Sequence, residues 1–363
     1  MIVLRILAYA LGAFGIVGTL LPFLRYDDYW IRGFDYPRPQ LVFILLASSV
    51  LFSVSRPDWH TFDFIMAVLL IGSLVYQAAR MLPYTSVYRV QSRRSEAEVS
   101  DQTSISLMVS NVLQPNEEYQ KVIDLVRRYD PDLLLTLESD ETWGTELHNA
   151  LDDDYPYHVD VPLDNLYGMH LFSKKELHNP TVKYRIKDDI PSIEAFVKLG
   201  NGREVDLYLL HPMPPSPSEA YASTGRDAEL AQVGLEVAES DRTTIVAGDM
   251  NDVAWSHSSR LFQRLSGLLD PRRGRGLYAT FHADYRLARW PLDHVFHSTD
   301  LALVQLERLP HVGSDHFPVF IQLNYEPSVS AGRQKSDDAD DREEAERVIK
   351  HGEKQEDDVL IPQ

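Results

Sequence analysis

The chain of 363 residues contains no cysteine. No disulfide can form, no thiolate can hold a metal, and thiol catalysis is excluded, while the redox compartment stays open. Positive charge is also scarce. Lys and Arg number 35 against 54 Asp and Glu, a formal net charge of −19. After Glu326, eleven acidic residues face six basic ones, so the tail holds −5 and the remainder −14. That excess argues against a broad electrostatic grip on duplex nucleic acid, which needs a basic face. Neither an internal repeat nor a glycine-rich phosphate loop is present.

Long apolar runs, by contrast, crowd the first eighty residues. Ile2 to Leu24 is interrupted only by Arg5, Leu41 to Val54 is bounded by Pro39 and Arg56, and Phe62 to Ala79 has Asp63 at its entrance and Arg80 at its exit. The first is long enough to cross a bilayer core of ~30 Å as a helix. With two more runs close behind, residues 1–83 read as a membrane anchor of three transmembrane helices rather than a cleaved signal. Arg25, Arg32, Arg38, Arg80, Arg89, Arg93 and Arg94 fall on one side and Arg5 and Arg56 on the other, which places the catalytic domain on the cytoplasmic side of an integral membrane protein. Residues 84–103 are polar and aperiodic, a linker. Residues 327–363 have few large apolar side chains and read as an acidic disordered tail, with room for a short helix from Asp341 to His351.

Between these lies one α/β domain, residues 104–326. Val122, Ile123, Val126 and Tyr129 recur at helical spacing within Glu117 to Tyr129, and Asp130-Pro-Asp132 stops that helix before the next apolar strand. Strand, helix, strand then gives way to strands and long loops.

Polar residues close these apolar runs in a fixed order. Asn111 follows Ser104 to Ser110, Glu138 follows Leu133 to Leu137, and His211 follows Val205 to Leu210. Asp249 and Asn251 end Ile245-Val-Ala-Gly-Asp-Met-Asn251; Asp293 precedes His294, and Asp315 and His316 sit in Gly313-Ser-Asp-His-Phe-Pro318. Strand ends meet at one edge of a sheet, where ligands bind. Cleaving a phosphoester needs charge neutralisation at phosphoryl oxygens, an activated water and help for the leaving oxygen. Glu138 is placed to hold a hard cation, Mg²⁺ with Mn²⁺ as the alternative. Asn111 can ligate that metal or orient the carboxylate. Asp249 can orient or deprotonate water, and Asn251 can donate to a phosphoryl oxygen. His316 with Asp293 as orienting partner suits a base or a charged phosphate binder, leaving Asp315 to face the metal. His211, opening a proline-stiffened loop, is a phosphate contact or leaving-group acid. Taken singly, each of these residues also has a structural role open to it, as a turn residue, a solvated carboxylate or a hydrogen-bonded histidine.

Jointly, Glu138, the Gly-Asp249-Met-Asn251 segment and the Ser-Asp315-His316 segment resemble the endonuclease/exonuclease/phosphatase superfamily over about Ser104 to Asn324. The resemblance implies a four-layer α/β sandwich of two packed β-sheets with outer helices. It also implies metal binding by Glu138 with Asn111 and Asp315 nearby, water activation by Asp249, phosphate positioning by Asn251 and His211, and an Asp293–His316 pair. Tyr167-Gly168-Met169, Pro191-Ser192-Ile193 and Trp290 to His294 look like a bacterial, membrane-anchored branch, which implies a bacterial cytoplasmic membrane. The reading is a membrane-anchored, metal-dependent phosphoesterase whose substrate is a lipid-linked or other phosphoester near the bilayer. The alternatives are a nuclease using a local strip of Arg272, Arg273, Arg275 and Arg289, and a non-catalytic membrane scaffold.

Overall fold

Two β-sheets lie face to face in the computed structural model, which describes residues 2–24, 26–55, 59–216, 220–327 and 338–359. One sheet comprises β1 (Ser104–Asn111), β2 (Leu133–Leu137), β3 (Tyr157–Val161), β4 (Met169–Ser173), β10 (Leu301–Arg308) and β11 (Val319–Tyr325), in the order β10-β11-β1-β2-β4-β3. The other takes β5 (His178–Tyr184), β6 (Pro191–Lys198), β7 (Glu204–Leu210), β8 (Thr243–Asp249) and β9 (Asp293–His297) in sequence order.

The apolar runs lack strict alternation because both faces of the central strands are covered. Ile105, Leu107 and Val109 of β1 point between the sheets, where they join Ile193, Leu207 and Ile245 in one core. Met108 points outward, into a second core with Val122, Trp143 and Leu147 of α5 (Tyr119–Tyr129) and α6 (Glu141–Leu151). On the far side, Val246 and Phe296 face Leu230 and Phe262 of α7 (Thr224–Glu239) and α8 (His257–Ser266). The layers run helix, sheet, sheet, helix, the sandwich that the resemblance implied. Helix α5 keeps the expected apolar positions and stops where Asp130 turns left-handed at φ 47°, ahead of Pro131.

The stretch expected to hold strands and long loops contains α7 and α8. Helix α7 lacks a clean apolar stripe because it is covered on most sides, burying Arg226, Asp227 and Glu229 beside Leu230, Val233 and Val237.

The acidic tail also departs from expectation. Residues 328–337, within the expected disordered region, lie outside the described residues, but Ala339–Val359 forms a helix, α9. Ala345, Val348 and Ile349 give it one apolar face, packed on Ala231, Leu235, Leu261 and Leu265. Three such residues suffice because α7 and α8 present the complementary groove. The linker likewise lies along the domain: Arg94 bridges Leu303, and the Ser95 N–H donates to the Leu303 carbonyl at 2.8 Å.

Three apolar helices precede it: α1 (Ile2–Leu20), α3 (Arg38–Val54) and α4 (Thr61–Met81), with the short α2 (Tyr29–Arg32) before α3. Ala8, Ile16, Leu45, Phe52, Met66 and Leu70 pack between them. Gly12 and Gly15 permit the close approach, since a Cβ on Gly15 would stand 2.7 Å from Leu45. Ile2, Phe43, Phe62 and Ile71 are exposed on the outside. Ile2–Leu24 and Thr61–Tyr84 are long and apolar enough to cross a membrane, and α3 makes a third span only if counted with the preceding turn across a 71° bend. Arg25 and Arg56, two of the charges counted for orientation, lie outside the described residues.

Candidate active site

Two strand–helix–strand units place the site. Strands β1 and β2 are parallel, as are β7 and β8, so Asn111 with Glu138, and His211 with Asp249, follow carboxyl ends of adjacent strands. Strand β9 runs antiparallel to β8 with Asp293 opposite Asp249, and β11 runs antiparallel to β1, bringing the loop carrying Asp315 and His316 to the same end. The stacked sheets bring these edges together. Asn111 Nδ2 donates to Glu138 Oε1 at 2.7 Å and to Asp249 Oδ2 at 3.2 Å, joining one sheet to the other.

From Asp249 the network continues. Its Oδ1 accepts the Asn251 N–H at 2.9 Å, and its Oδ2 lies 3.5 Å from His316 Nε2. His316 Nδ1 is 2.8 Å from Asp293 Oδ2. Burial alone would depress the basicity of His316, but Asp293, Asp249 and Asp315 together outweigh it and push its pKa up to about 10. The imidazole is therefore charged at neutral pH. His211 follows the opposite logic: burial lowers its pKa to about 4, so it is neutral. Among the described residues its Nδ1 and Asp293 Oδ1 are buried without a partner.

Glu138 is pushed up to about 7 by burial, with Asp315 and Asp249 adding to the rise while Asn111 and His316 oppose it. Its backbone is left-handed at φ 56°, as are those of Leu113, Leu166 and Asn251. These four line one cleft of about 630 Å³, together with His211, Asp315 and His316. Left-handed non-glycine residues carry strain of about 1–3 kcal/mol and gather where a site holds them in place. Gly248 supplies the exit from β8: at φ +140° a Cβ would stand 1.9 Å from the Leu210 carbonyl oxygen.

All eight residues singled out in the sequence gather around this cleft. The donor set suits a hard cation: carboxylates of Glu138 and Asp315 face the cleft, and among the described residues no Lys or Arg lines it. Asp249, Asp293 and His316 also present ligand atoms within 4.8 Å of one another, but these atoms already serve each other around a charged imidazole, whose nitrogens have no lone pair to offer. The Asn111 side-chain oxygen accepts the Leu113 N–H at 3.1 Å, and its amide nitrogen is turned toward Glu138 and Asp249.

Of the four arginines expected to form a basic strip, Arg272, Arg275 and Arg289 are engaged within the domain. Arg272 is 3% exposed, donating to Asp270 and to His294 Nδ1 at 2.8 Å each. Arg275 and Arg289 are turned to backbone carbonyls. His294, beside Asp293, is held neutral by burial and Arg272, and bridges Arg272 to the Asp252 carbonyl. Sequence reasoning missed Tyr36, whose hydroxyl donates to the Asn251 carbonyl at 2.7 Å, and Arg226, which donates to the same carbonyl at 2.8 Å. No local signal marks either, because their partner lies on another element.

Residues 108–316, more than half of the chain, match the Endonuclease/Exonuclease/phosphatase family. No curated protein matches the chain significantly. Among solved structures, D. rerio TDP2 humanized by 14 mutations is similar with a TM-score of 0.50 and 14% identity, over 62% of this chain and 100% of that one. D. rerio TDP2 complexed with single strand DNA product gives 0.50 and 15%, over 61% and 99%. The human Nocturnin catalytic domain with bound sulfate anion gives 0.50 and 17%, over 63% and 96%. At such identities the likeness is one of fold. The family match, a sandwich of this topology and strand ends converging on one cleft lead to the same place: this chain belongs to the endonuclease/exonuclease/phosphatase family, whose members are generally hydrolases of phosphoester bonds and typically depend on a divalent metal.

Proposed function

We propose that this protein is a membrane-tethered, divalent-metal-dependent phosphoesterase acting on a phosphoester held at the bilayer. The observation that carries the reading is the unbroken run from Glu138 through Asn111, Asp249 and His316 to Asp293. Glu138 and Asp315 would hold the cation, Mg²⁺ or Mn²⁺. When bound, it supplies neutralisation of charge on a phosphoryl oxygen.

Asp249, with Asn111, Asn251 and His316 fixing its orientation, takes the proton of the attacking water as that oxygen bonds to phosphorus. His316, already charged, donates to a phosphoryl oxygen and steadies the developing negative charge, with Asp293 fixing its ring. This favours the phosphate-binding reading of His316 over the basic one. Asn251 and neutral His211 donate further hydrogen bonds. The bond from phosphorus to the leaving oxygen then breaks, and the leaving oxygen is protonated from solvent. A tether of two or three spans raises the local concentration of a membrane-bound substrate. Retention of every polar group in one cleft favours catalysis over a scaffold role, and the pairing of Arg272 weighs against a grip on a nucleic-acid backbone.

The test is hydrolysis of bis(4-nitrophenyl) phosphate by the full chain in detergent, with Mg²⁺ or Mn²⁺ and with a chelator. Metal-dependent turnover that collapses in Asp249→Ala and His316→Ala is expected; turnover untouched by both substitutions sinks the assignment.

A further inference from the structure

One wall of the cleft comes from the chain between the first two apolar helices. Tyr29, Gly33, Tyr36 and Pro37 line it, beside Trp290 and with Phe281 also in the lining. The wall is fastened to the catalytic domain. Besides the bond from Tyr36 to Asn251, Trp255 Nε1 donates to the Asp35 carbonyl, and Gln40 Nε2 to the Leu287 carbonyl, each at 2.7 Å. Trp290 meets Tyr36 edge to face with ring centroids 5.9 Å apart. The carboxylates and His316 thus sit beneath aromatic walls.

The surroundings continue the theme. On the loop held by Gln40, Tyr285 is 62% and Leu287 90% exposed, and Trp30 of α2 is 48% exposed. Leu287 meets Gln40 at the start of α3, and Trp30 lies in the chain between α1 and α3. If those helices cross a bilayer, this is its interface, where aromatic side chains settle.

We infer that the cleft receives an amphiphilic phosphoester from the bilayer, its phosphate at Asp249 and His316 and its hydrocarbon-bearing part against the wall of Gly33, Tyr36 and Trp290. The inference rests on the phosphoesterase reading. The anchor is then a part of the substrate site as well as a tether. An apolar wall rewards each methylene it covers, by roughly fourfold in affinity, whereas a polynucleotide would present anionic phosphates to a cleft with no Lys or Arg among the described residues of its lining.

Two diesters with one leaving group test this, methyl 4-nitrophenyl phosphate and hexadecyl 4-nitrophenyl phosphate, offered to the full chain in mixed detergent micelles with Mg²⁺. The hexadecyl ester is expected to show at least tenfold higher kcat/KM. Gly33→Phe should reduce that ratio at least fivefold. Gly33 has right-handed helical backbone (φ −54°, ψ −25°), and a Cβ there meets nothing within 4 Å, so the new ring has room to enter the cleft. Leu166→Asn, at a 40% exposed, left-handed position that suits Asn, is a second variant and should lower the ratio by making another part of the cleft lining polar. Micelle partitioning does not depend on the variant, so a shift in ratio reports the wall. Equal rates for both esters, or a ratio unmoved by both variants, overturn the inference while leaving the phosphoesterase reading standing. Faster cleavage of a single-stranded oligonucleotide than of the hexadecyl ester overturns it too. If neither ester nor hexadecyl monophosphate is hydrolysed, the phosphoesterase reading fails and the inference fails with it.

Discussion

His316 Nδ1 stands 2.8 Å from Asp293 Oδ2, a contact between the loop before β11 and the first residue of β9. It fixes the ring and, with Asp249 and Asp315, keeps it charged. Asp293→Asn should lower kcat by roughly 10²–10⁴-fold. It should also move the alkaline limb of the kcat/KM profile downward from about pH 10, because His316 loses its closest carboxylate. A pH profile of variant and parent, compared at matched metal, decides. An unshifted limb means that His316 is not the group titrating there.

The same pair bears on stability. The folded-state pKa of His316, about 10, lies above its ordinary value of 6.5. Its contribution is therefore complete below about pH 6.5 and is lost as pH rises through about 10. His316→Gln should accordingly be most destabilising relative to the parent below pH 7, and the gap should close above pH 10. Urea melts across that range provide the check.

Glu138 offers a readout of the metal that does not need turnover. Its carboxyl is pushed up to about 7, so a proton competes with a cation below that pH. Added Mg²⁺ or Mn²⁺ should raise the melting temperature at pH 8 more than at pH 6. At a hundred times Kd the gain is about 2.7 kcal/mol. Glu138→Gln should abolish the response. A variant that keeps the full thermal shift removes Glu138 from the ligand set.

Gly248 is expected to resist substitution. Gly248→Ala must place a Cβ against the Leu210 carbonyl in a backbone region that L-residues avoid. A loss of about 2–3 kcal/mol follows, with a fall in kcat because Asp249 is the next residue. Circular-dichroism melts and kinetics on the folded fraction separate the two effects.

Helix α9 should behave as part of the domain. Ala345 is fully buried against α7 and α8. Ala345→Asp should cost about 3 kcal/mol, whereas Glu346→Asp, on the exposed side, should stay within about 0.5 kcal/mol. Equal melting temperatures would mean that α9 detaches freely.

Much of the site could be read without coordinates. Glu138 and Asp249 each close an apolar run, and a run buried on both faces leaves a polar side chain nowhere to go but the strand end. The strand after the first helix was legible for the same reason, since Asp130-Pro131 stops α5 cleanly. Helix α7 was not, because buried Arg226 and Asp227 erase the periodicity that an amphipathic helix shows. In the tail only a short helix from Asp341 to His351 was legible, and its full length and packing were not, because its three apolar residues are sufficient only against the groove that α7 and α8 supply. Arg272 looked available for phosphate until Asp270 and His294 were seen to hold it.

By itself, then, the sequence determined which residues stop strands, where the apolar helices lie and what chemistry the polar groups can support, for these depend on neighbours a few positions away. Tertiary structure alone decided that Asn111 spans two sheets to reach Glu138 and Asp249, that His316 is charged while His211 is neutral, and that Tyr36, from between the first two apolar helices, walls the cleft. Those properties depend on burial and on charges brought together from distant positions. Tyr36 and Asn251, 215 residues apart in the chain, meet only because the segment between the first two apolar helices packs against the α/β domain.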